Sequence, residues 1–331
     1  MNNLKKNKFI IVVNAHQANT RLDRFLLSAP EISDLKLTRS YIQDIIDKNF
    51  ILVNGKSVKS SFIVKSEDHI TLDIPVVEKT ELLPYDFPLD IVYEDNDLIV
   101  VNKPSGLVIH PAAGHQQDTL VNALLNHTQN LSMKNELRPG IVHRIDKETS
   151  GLIVIAKNDY SHEHLSQQFK NKETHRVYYA VTDGHLKTQK GTIKSYLARH
   201  PSDRKRYASV KINNKIISQF DESFTLGKWS VTHYEAVEYA SNKTLVRLKL
   251  ETGRTHQIRV HLSEMNHCLI GDLTYGFSPK KYKELKLSRF YLHAAELGFT
   301  HPQSLAKLFF KTSWPTTDQE IIKHWGFTHY A

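Results

Sequence analysis

The chain contains the segment Arg138-Pro139-Gly140-Ile141-Val142-His143-Arg144-Ile145-Asp146-Lys147-Glu148-Thr149-Ser150-Gly151, followed directly by Leu152-Ile153-Val154-Ile155-Ala156-Lys157. The second stretch is apolar and predicts a buried strand that begins at Gly151. Asp146 stands between Arg144 and Lys147, and nearby positive charge favours the ionised carboxylate. Such a carboxylate can attack an anomeric carbon or accept a proton, although a surface turn with solvated charges has the same local pattern.

β-strand patterns surround this segment from about residue 90 onward. Short apolar runs predict strands at 91–93, 98–101, 152–155, 177–181 and 245–250. Helical patterns occur between them, at 119–127, 160–171 and 255–264. Because strands and helices follow no repeating βαβ period, the sequence predicts an α+β domain rather than a doubly wound fold.

The first 75 residues predict a smaller, separate unit. Helical patterns occur at 20–27 and at 37–46, where Thr38 is the predicted N-cap. Strand patterns occur at 9–13, 50–53 and 70–74, and Asn54-Gly55 is a tight-turn signal. Prolines and mixed charges mark 76–89 as a linker, so the predicted domains are 1–75 and 90–331.

The composition limits the classes of protein and of partner. In the 331 residues, 44 Lys and Arg exceed 35 Asp and Glu, and the resulting net charge of +9 favours an anionic partner, nucleic acid first. Cys268 is the single cysteine and is expected to be a buried apolar side chain, so no internal disulfide can form and a cytoplasmic location is predicted. The apolar run 9–13 is too short for a signal peptide, and no stretch approaches the length of a membrane span.

Residues 143–151 resemble the catalytic motif of the RluA-type pseudouridine synthases, His-Arg-Leu-Asp-Lys-x-Thr-Ser-Gly, with Ile145 in place of the Leu. Other segments resemble parts of the same family in the same order, namely 93–111, 119–124, 175–181, 250–262, 270–276 and 292–297. The likeness is closest to the RluD branch, which modifies large-subunit ribosomal RNA. In the N-terminal unit, Arg39-Ser40, Ile42-Gln43 and Val53-Asn54-Gly55-Lys56 resemble the S-four RNA-binding domain. The resemblance implies such a domain joined to a catalytic domain with a mixed, mainly antiparallel sheet and flanking helices.

The resemblance also implies a role for each motif residue. Asp146 would be the catalytic nucleophile, attacking the ribose anomeric carbon or assisting glycosidic cleavage by another route. Arg259 would pair with this carboxylate, Tyr178 would stack on the base or move a proton, and Arg144 would hold the displaced nucleotide. Further substrate contacts are expected from His143, Lys147, Thr149, His256 and Ile258.

Basic residues elsewhere are candidates for contact with RNA phosphates. Loop 198–207 combines several cations with Tyr207, a pattern that suits phosphate contacts and also suits a solvated loop. The predicted RNA-binding residues are Arg21, Arg24, Arg39, Lys56, Arg204, Lys205 and Arg206. No cofactor is expected, because a glycosidic bond is exchanged for a carbon–carbon bond. No metal is expected, because the 19 His residues form no His-Glu-x-x-His motif and no Cys pair exists.

Several positions depart from the family pattern. Asn49 and Glu67 stand where Gly is common; Asn tolerates the left-handed conformation, but Glu disfavours it, so the turn at Glu67 is expected to differ. Asp118 also replaces a Gly and is expected to cap the following helix. Lys103 is expected to be structural, either pairing with a carboxylate or ordering its loop. Residues 209–226 form an insert without a predicted role.

Together these features predict an RNA pseudouridine synthase that isomerises specific uridines in large-subunit (23S) ribosomal RNA. The predicted partner is this rRNA or a pre-ribosomal particle, with no membrane and no metal, and the chain is expected to be a monomer. Action on other rRNA sites or on tRNA is an open alternative, as is a non-catalytic rRNA-binding assembly factor. A carboxylate-based glycosidase is a third alternative, which needs a second carboxylate, and Glu148 is the nearest candidate.

Overall fold

The computed structural model describes residues 6–35, 37–75, 82–112, 114–282, 287 and 289–328. Its internal contacts divide the chain into two units, residues 1–81 and residues 82–331. Residues 76–81 of the predicted linker lie outside the described residues. The predicted domain limits at residues 75 and 90 stay a prediction.

The N-terminal unit combines two α-helices with a three-stranded antiparallel sheet. In chain order its elements are β1 (Lys6–Val12), α1 (Leu22–Ser28), α2 (Arg39–Asp47), β2 (Ile51–Val53) and β3 (His69–Pro75). Strand β3 lies between β1 and β2. Apolar side chains of both helices, such as Phe25 and Ile42, form one buried cluster with sheet residues such as Ile70. The helices and strands predicted for this unit are therefore present, with ends shifted by one to three residues.

Local signals around α2 and the following strand are confirmed. The Thr38 hydroxyl accepts the N–H of Tyr41 at 3.3 Å, as an N-cap does. Asn54 and Gly55 have φ of 50° and 73°, and the residues on either side of them exchange two backbone hydrogen bonds. The tight turn is thus present, although β2 pairs with β3 rather than with the segment that directly follows the turn.

The expectation of a different turn at Glu67 is wrong. Glu67 has φ of 68°, which is the left-handed conformation that a Gly would adopt there. Its N–H donates to the carbonyl of Val13 at 2.9 Å. The next residue, Asp68, is buried and accepts hydrogen bonds from the N–H of Lys65 and the side chain of Asn54, both at 2.8 Å. These bonds outweigh the cost, roughly 1–2 kcal/mol, of a left-handed residue with a side chain.

The second unit is larger and is built on a long sheet. Its strands are β4 (Ile91–Glu94), β5 (Leu98–Lys103), β6 (Ser150–Ala156), β7 (His175–Asp183), β8 (Lys190–Arg199), β9 (Tyr207–Ser209), β10 (Lys211–Ile212), β11 (Lys215–Ile216), β12 (Lys228–Ala240), β13 (Lys243–Leu250), β14 (Leu292–Thr300) and β15 (Lys307–Lys311). Its helices are α3 (Leu120–His127), α4 (Asp159–Asn171), α5 (Gln257–Glu264) and α6 (Thr316–His324).

Ten strands form one sheet in the order β4-β5-β6-β14-β7-β13-β12-β8-β9, and β15 pairs with β14. Only the β6–β14 pair in this described sheet is parallel, so the predicted mixed, mainly antiparallel sheet is confirmed. At its centre, Gly151, Ala294 and Tyr178 are neighbours across β6, β14 and β7. A Cβ at Gly151, whose φ is 111°, would lie 2.2 Å from the carbonyl oxygen of Ala294, so the parallel pairing requires glycine there.

Two helices of the second unit, α3 and α5, differ from the prediction at their N-terminal ends. Helix α3 is capped by Thr119, whose hydroxyl accepts the N–H of Asn122, whereas Asp118 hydrogen-bonds His115 instead of capping. Helix α5 begins at Gln257 rather than at residue 255, so Arg259 lies in its first turn.

Other expectations about the second unit concern its surface. Cys268 is only partly buried, which corrects the expectation of a buried side chain. The insert at 209–226 contains the two-stranded hairpin of β10 and β11, whose residues are exposed. Across the described residues, no helix combines the length and apolar character that a bilayer span requires.

Candidate active site

A cavity of about 350 Å³ lies where three neighbouring strands of the large sheet, β14, β7 and β13, meet the loop before β6. Tyr178 of β7, Leu250 at the end of β13, Leu292 at the start of β14 and Asp146 in the loop all line it. Helix α5 and the residues just before it add further lining side chains. The volume is within the range of pockets for small-molecule ligands, roughly 300–1,000 Å³.

The carboxylate of Asp146 is bound on one oxygen and open on the other. The Arg259 Nη1 donates to Oδ2 at 3.2 Å, and Nε2 of His256 lies 4.0 Å from the same oxygen. Among the described residues, Oδ1 accepts no hydrogen bond, and the side chain is 17% exposed. One oxygen of an oriented carboxylate is thus available to a ligand in the cavity.

The sequence neighbours of Asp146 do not hold it. Neither Arg144 nor Lys147 forms an ion pair with Asp146 within the described residues, which corrects the expectation drawn from their position in the chain. The Lys147 Nζ lies 3.1 Å from Nε2 of His115. The cation that contacts the carboxylate is Arg259, the arginine that the family resemblance implies.

Asp272 and two aromatic rings fix Arg259. Asp272 accepts hydrogen bonds from its Nε at 2.7 Å and its Nη2 at 2.9 Å, which leaves Nη1 for Asp146. The guanidinium carbon lies 4.4 Å from the ring centroid of Phe290 and 4.9 Å from that of Tyr275. Burial lowers the pKa of Arg259, but the hydrogen bonds and charge of Asp272, with those of Asp146, outweigh burial and raise it. Arg259 is therefore a permanently charged and immobilised donor.

A buried lysine connects β5 to the loop that carries Asp146. The Lys103 Nζ donates to the carbonyl oxygens of Pro104 at 2.7 Å, Leu107 at 3.0 Å and Lys147 at 3.0 Å, and the residue is fully buried. Burial lowers the pKa of Lys103 to about 7. The expectation that Lys103 orders a loop is confirmed, and its partners are carbonyl groups rather than a carboxylate.

Tyr178 and Arg176 lie two residues apart on β7 and both line the cavity. Burial raises the pKa of the Tyr178 hydroxyl, which therefore stays protonated. Arg176 is 6% exposed, donates from Nη2 to the carbonyl of Glu251 at 3.2 Å, and has no hydrogen-bond partner for Nε among the described residues. Burial lowers the pKa of Arg176, so an anion entering the cavity would relieve an unfavourable desolvated charge.

Positive charge dominates the lining of the cavity. Arg144, Lys170, Arg176 and Arg254 line it, and none of them forms an ion pair with a carboxylate of the described residues. Asp146 is the one acidic side chain among the described lining residues. Such an excess of cations suits a phosphate-bearing ligand.

A second carboxylate for glycosidase chemistry is not found among the described lining residues. Glu148, the nearest candidate, accepts a hydrogen bond from the Ser105 hydroxyl at 3.2 Å and does not line the cavity. A glycosidase normally needs two carboxylates on either side of the scissile bond. The geometry therefore does not favour sugar hydrolysis.

Four of the five predicted substrate contacts line the cavity: His143, Thr149, His256 and Ile258. Lys147 does not line it. The His143 Nε2 accepts the N–H of Val154 at 3.0 Å, and burial lowers the pKa of His143 to about 3, so its ring is neutral. The buried Thr149 hydroxyl has no hydrogen-bond partner among the described residues.

The RNA-binding candidates of the N-terminal unit differ in what they contact. Arg24 and Lys56 are exposed. Arg21 and Arg39 both donate to the carboxylate of Asp23, whose side chain is fully buried. Two of the four candidates are thus engaged in the unit's own structure.

The candidates in the basic loop divide in the same way. Arg204 and Lys205 are exposed, whereas the Arg206 guanidinium lies over the ring of Tyr275 at 5.4 Å. The loop reaches the cavity wall through Tyr207, whose ring centroid lies 5.7 Å from that of His256. The basic loop is therefore adjacent to the candidate site.

The sequence alone assigns no role to Asp272, Tyr275 or Phe290, although all three contact Arg259. No local pattern identifies them, because they lie 13 to 31 residues beyond Arg259 in the chain. A lone acid in an otherwise apolar segment was the one usable signal for Asp272, since a buried carboxylate needs a cation.

One cluster resembles a metal site in composition. Ligand atoms of Asp95, Asp97 and His301 lie within 4.8 Å of one another. One Asp95 oxygen accepts from the hydroxyl of Tyr93 at 2.7 Å and lies 2.8 Å from Nε2 of His301, so it is engaged by the protein itself. The cluster does not line the cavity, and the predicted absence of a metal stays a prediction.

Family models match both units of the chain. The model for RNA pseudouridylate synthase matches residues 97–264, a range that contains Asp146, Tyr178 and Arg259. The S4 domain model matches residues 20–70.

Curated relatives align with nearly the whole chain. Ribosomal large subunit pseudouridine synthase D of Zymomonas mobilis is 41% identical over 311 residues, covering 92% of this chain and 93% of the relative. The protein of the same name from Escherichia coli is 37% identical over 322 residues, covering 94% and 92%. An uncharacterized RNA pseudouridine synthase of Aquifex aeolicus is 39% identical over 308 residues, covering 91% and 92%.

Solved structures share the fold. Human RNA pseudouridylate synthase domain containing 4 superposes with a TM-score of 0.56 at 23% identity, covering 72% of this chain and 94% of that chain. Human RNA pseudouridylate synthase domain containing 1 gives a TM-score of 0.52 at 23% identity, covering 74% and 97%. At this identity the match establishes the fold alone.

Proposed function

The chain belongs to the RNA pseudouridylate synthase family, and on that premise we propose that it isomerises specific uridines to pseudouridine in large-subunit (23S) ribosomal RNA. It is an isomerase that carries an S4 RNA-binding domain and a pseudouridine synthase domain. In this proposal Asp146 is the catalytic nucleophile, supported by Arg259, Tyr178 and Arg144.

One observation carries the proposal for Asp146. The cavity contains a single carboxylate with one oxygen bound to Arg259 and the other open, as judged from the described residues. The hydrogen bond from Arg259 keeps the group oriented, and the open oxygen can form a bond to carbon. A lone carboxylate suits an isomerisation, because no water molecule has to be deprotonated by a second carboxylate acting as a base.

The proposed reaction balances without a cofactor. An oxygen of Asp146 attacks C1′ of the uridine while the C1′–N1 bond breaks, and N1 keeps the electron pair. The freed uracil turns, C5 attacks C1′, and the bond from C1′ to Asp146 breaks and returns its electrons to the carboxylate. C5 then loses a proton and N1 gains one. If Asp146 assists cleavage by another route, the same atoms and electrons balance.

The other cavity residues would bind the extruded nucleotide. Tyr178 would stack on the uracil and donate from its hydroxyl, because burial raises its pKa and a protonated phenol is a poor base. Arg144, Lys170 and Arg254 would contact the phosphates or hold the displaced nucleotide. Taking a uridine out of its stack costs a few kcal/mol, and these contacts offset that cost.

The substrate class follows from the N-terminal unit and from the relatives. An S4 domain and a net charge of +9 suit RNA, and two of the relatives are named for the large ribosomal subunit. We therefore propose large-subunit rRNA, or a pre-ribosomal particle that contains it, as the partner. The cytoplasmic location and the monomeric state stay predictions.

Tritium release from RNA that carries uridine labelled at C5 tests this proposal. The full chain is incubated with deproteinised large-subunit rRNA, and small-subunit rRNA and tRNA are tested in parallel. We expect release from large-subunit rRNA by the wild type and none by Asp146→Asn. Glu148→Gln is the matched control, because it neutralises a neighbouring carboxylate that lies outside the cavity lining, and it should retain activity.

Each other outcome points to a different conclusion. Release only from tRNA or small-subunit rRNA would replace the substrate class and leave the chemistry in place. Release by Asp146→Asn would remove Asp146 as the nucleophile. No release from any RNA, with binding intact, would favour the non-catalytic assembly factor.

A further inference from the structure

A buried hydroxyl connects the basic loop to the cavity. Tyr275 is 3% exposed, and its oxygen lies 2.8 Å from the backbone nitrogen of Tyr207 and 2.9 Å from Nδ1 of His256. The Nε2 of that histidine lies 4.0 Å from the carboxylate of Asp146. These groups form a continuous line from the start of β9 to the proposed nucleophile.

The direction of each hydrogen bond follows from bonding capacity. The N–H of Tyr207 can only donate, so the Tyr275 oxygen is the acceptor of that bond. Among the described residues the hydroxyl has one remaining partner, His256. A buried O–H without an acceptor would cost roughly 1–3 kcal/mol. The Tyr275 O–H therefore donates to Nδ1.

This bond determines the tautomer of His256. Because Nδ1 accepts, the single hydrogen of the neutral ring is on Nε2, the nitrogen that faces Asp146. Burial and the positive charge of Arg259 lower the pKa of His256 more than the charges of Asp146 and Asp272 raise it, so the neutral ring is favoured. Burial raises the pKa of Tyr275 to about 12, so its hydroxyl keeps the hydrogen that it donates.

The two rings are held in place from several sides. The guanidinium carbons of Arg259 and Arg206 lie 4.9 Å and 5.4 Å from the centroid of the Tyr275 ring. Its carbonyl accepts the hydroxyl hydrogen of Ser263 at 2.7 Å. His256 has φ of 56° directly before α5, and its ring stands edge-on to that of Tyr275 at 86°. The orientation of the imidazole is thus set by the fold and not by the ligand.

We propose that Tyr275 is a positioning residue, whose hydroxyl holds neutral His256 with its Nε2–H directed at Asp146 as a second donor beside Arg259. The distance from Nε2 of His256 to Oδ2 of Asp146 is 4.0 Å, so a small movement on RNA binding would complete the bond. The donor would act when the bond from C1′ to Asp146 breaks and negative charge returns to the carboxylate. The inference rests on the proposed role of Asp146.

The first test removes only the hydroxyl. Tyr275→Phe keeps the ring and its contacts with the two guanidinium groups, and we expect kcat for pseudouridine formation to fall about tenfold while KM changes less than twofold. Tyr291→Phe is the matched control, because Tyr291 is 2% exposed and packs on Trp314 and Trp325 away from the cavity. Wild-type kcat in Tyr275→Phe would overturn the proposal.

The second test asks whether a donor at the Nε2 position is what matters. His256→Gln can place a side-chain N–H near the position of Nε2, whereas the shorter His256→Asn reaches only the position of Nδ1. We expect His256→Gln to retain several-fold more activity than His256→Asn. Equal losses would contradict the proposal.

The third test needs neither RNA nor turnover. The ¹⁵N spectrum of the full chain labelled in histidine, with His256 assigned by its loss in His256→Gln, should show hydrogen on Nε2 and none on Nδ1. Tyr275→Phe should shift this residue to a mixture of tautomers. A wild-type ring with hydrogen on Nδ1 would overturn the inference. If the tautomer is as expected but no RNA releases tritium, the proposed function is what has failed.

Discussion

Two segments with the same local pattern hold their aspartates in opposite ways. The two segments are Arg21-Leu22-Asp23-Arg24 and Arg144-Ile145-Asp146-Lys147. In each, the aspartate lies two residues after an arginine, directly after an apolar residue and directly before a basic residue. The first lies in the N-terminal unit and the second beside the cavity. Nothing in the four residues distinguishes them.

Asp23 is fully buried, and both oxygens of its carboxylate accept hydrogen bonds. The neighbouring Arg21 folds back to donate from Nε at 3.0 Å and Nη2 at 3.1 Å, and Arg39 and Gln43 of α2 donate to the same carboxylate at 2.8 and 3.0 Å. The hydrogen bond from Arg21 is the main cause that holds the pKa of Asp23 well below its usual range. Such a carboxylate joins α1 to α2 and has no capacity left for chemistry.

Asp146 is only partly buried and unsaturated. Its neighbours Arg144 and Lys147 make no ion pair with it among the described residues, and its one cation, Arg259, comes from 113 positions away. A carboxylate that stabilises a fold fills its acceptor sites, whereas a nucleophile must keep one oxygen open. The state of the second oxygen therefore separates the two roles better than the neighbouring sequence does.

The largest expected difference between the two aspartates is in catalysis. Asp146→Asn should reduce kcat for pseudouridine formation by at least about 10⁴-fold, because an amide is a poor nucleophile. Asp23→Asn should leave kcat unchanged and lower the free energy of unfolding of the N-terminal unit by about 2 kcal/mol, since it leaves two guanidinium groups without their carboxylate. Tritium release measures the first effect, and amide exchange in residues 6–75 of the full chain measures the second.

Either of two results with Asp23→Asn would contradict this contrast between the two aspartates. A large loss of kcat in Asp23→Asn, with folded protein and intact RNA binding, would show that this buried group takes part in the reaction. Unchanged amide exchange in Asp23→Asn would show that its hydrogen bonds with Arg21, Arg39 and Gln43 contribute nothing to the stability of the N-terminal unit.

The arginines sharpen the same contrast. Arg259→Lys should lower kcat about 100-fold, because an ammonium cannot bond Asp272 through two nitrogens and Asp146 through a third. Arg39→Lys is the matched change at Asp23, where Arg21 and Gln43 still donate to the carboxylate. Because the Arg39 side chain is 49% exposed, this change should lower the free energy of unfolding by less than about 1 kcal/mol. Single-turnover kinetics and amide exchange measure the two effects. Equal kcat values for Arg259→Lys and the wild type would contradict the role given to the three guanidinium nitrogens of Arg259.

Much of the fold was predictable because its signals are local. The N-cap at Thr38, the turn at Asn54-Gly55 and the apolar run at 152–155 each depend on a few adjacent residues. The chemistry of those residues is sufficient to specify a cap, a turn or a strand. Where a local signal misled, as for the cap expected at Asp118, a better-placed neighbour, Thr119, performed the same task.

The candidate site was predictable only in part, because its contacts are long-range. The motif around Asp146 pointed to a carboxylate, and the resemblance to a family implied Arg259 and Tyr178. The support from Asp272, Tyr275 and Lys103 depends on which strands and loops the sheet brings together, and adjacent residues do not report that. Arg144 and Lys147 misled for the same reason, since proximity in the chain is not contact.

The loop of Asp146 is held by a lysine and not by ion pairs, and this predicts a pH effect. The pKa of Lys103 is about 7 in the folded chain and 10.5 ordinarily, so between these values the unfolded chain binds more protons and the free energy of unfolding rises with pH. From pH 7 to pH 9 the wild type should gain about 2 kcal/mol relative to Lys103→Met, at up to ~1.4 kcal/mol per pH unit.

Urea unfolding followed by tryptophan fluorescence measures this difference, because all three tryptophans, Trp229, Trp314 and Trp325, lie in the second unit. Lys205→Met is the control for loss of a lysine, since Lys205 is exposed. Its free energy of unfolding should change with pH in the same way as that of the wild type. If the free energy of unfolding of Lys103→Met also changed with pH as that of the wild type does, Lys103 would be charged at pH 7 and its bonds to three carbonyl groups would offset its burial.

The smallest expected effect concerns the backbone of the N-terminal unit. The last residue of the motif, Gly151, has positive φ and a side chain there would meet the carbonyl of Ala294, whereas the N-terminal unit has Glu67 at φ of 68°. Glu67→Gly should therefore stabilise this unit by about 0.5–1 kcal/mol, the relief of a left-handed side chain less the added freedom of the unfolded chain. Glu67→Ala removes the same charge without that relief, because alanine also disfavours the conformation. Slower amide exchange in Glu67→Gly but not in Glu67→Ala would establish a backbone cause. Equal slowing in both variants would instead assign the cost to the glutamate charge, and the contacts of Asp68 would then hold the turn without strain.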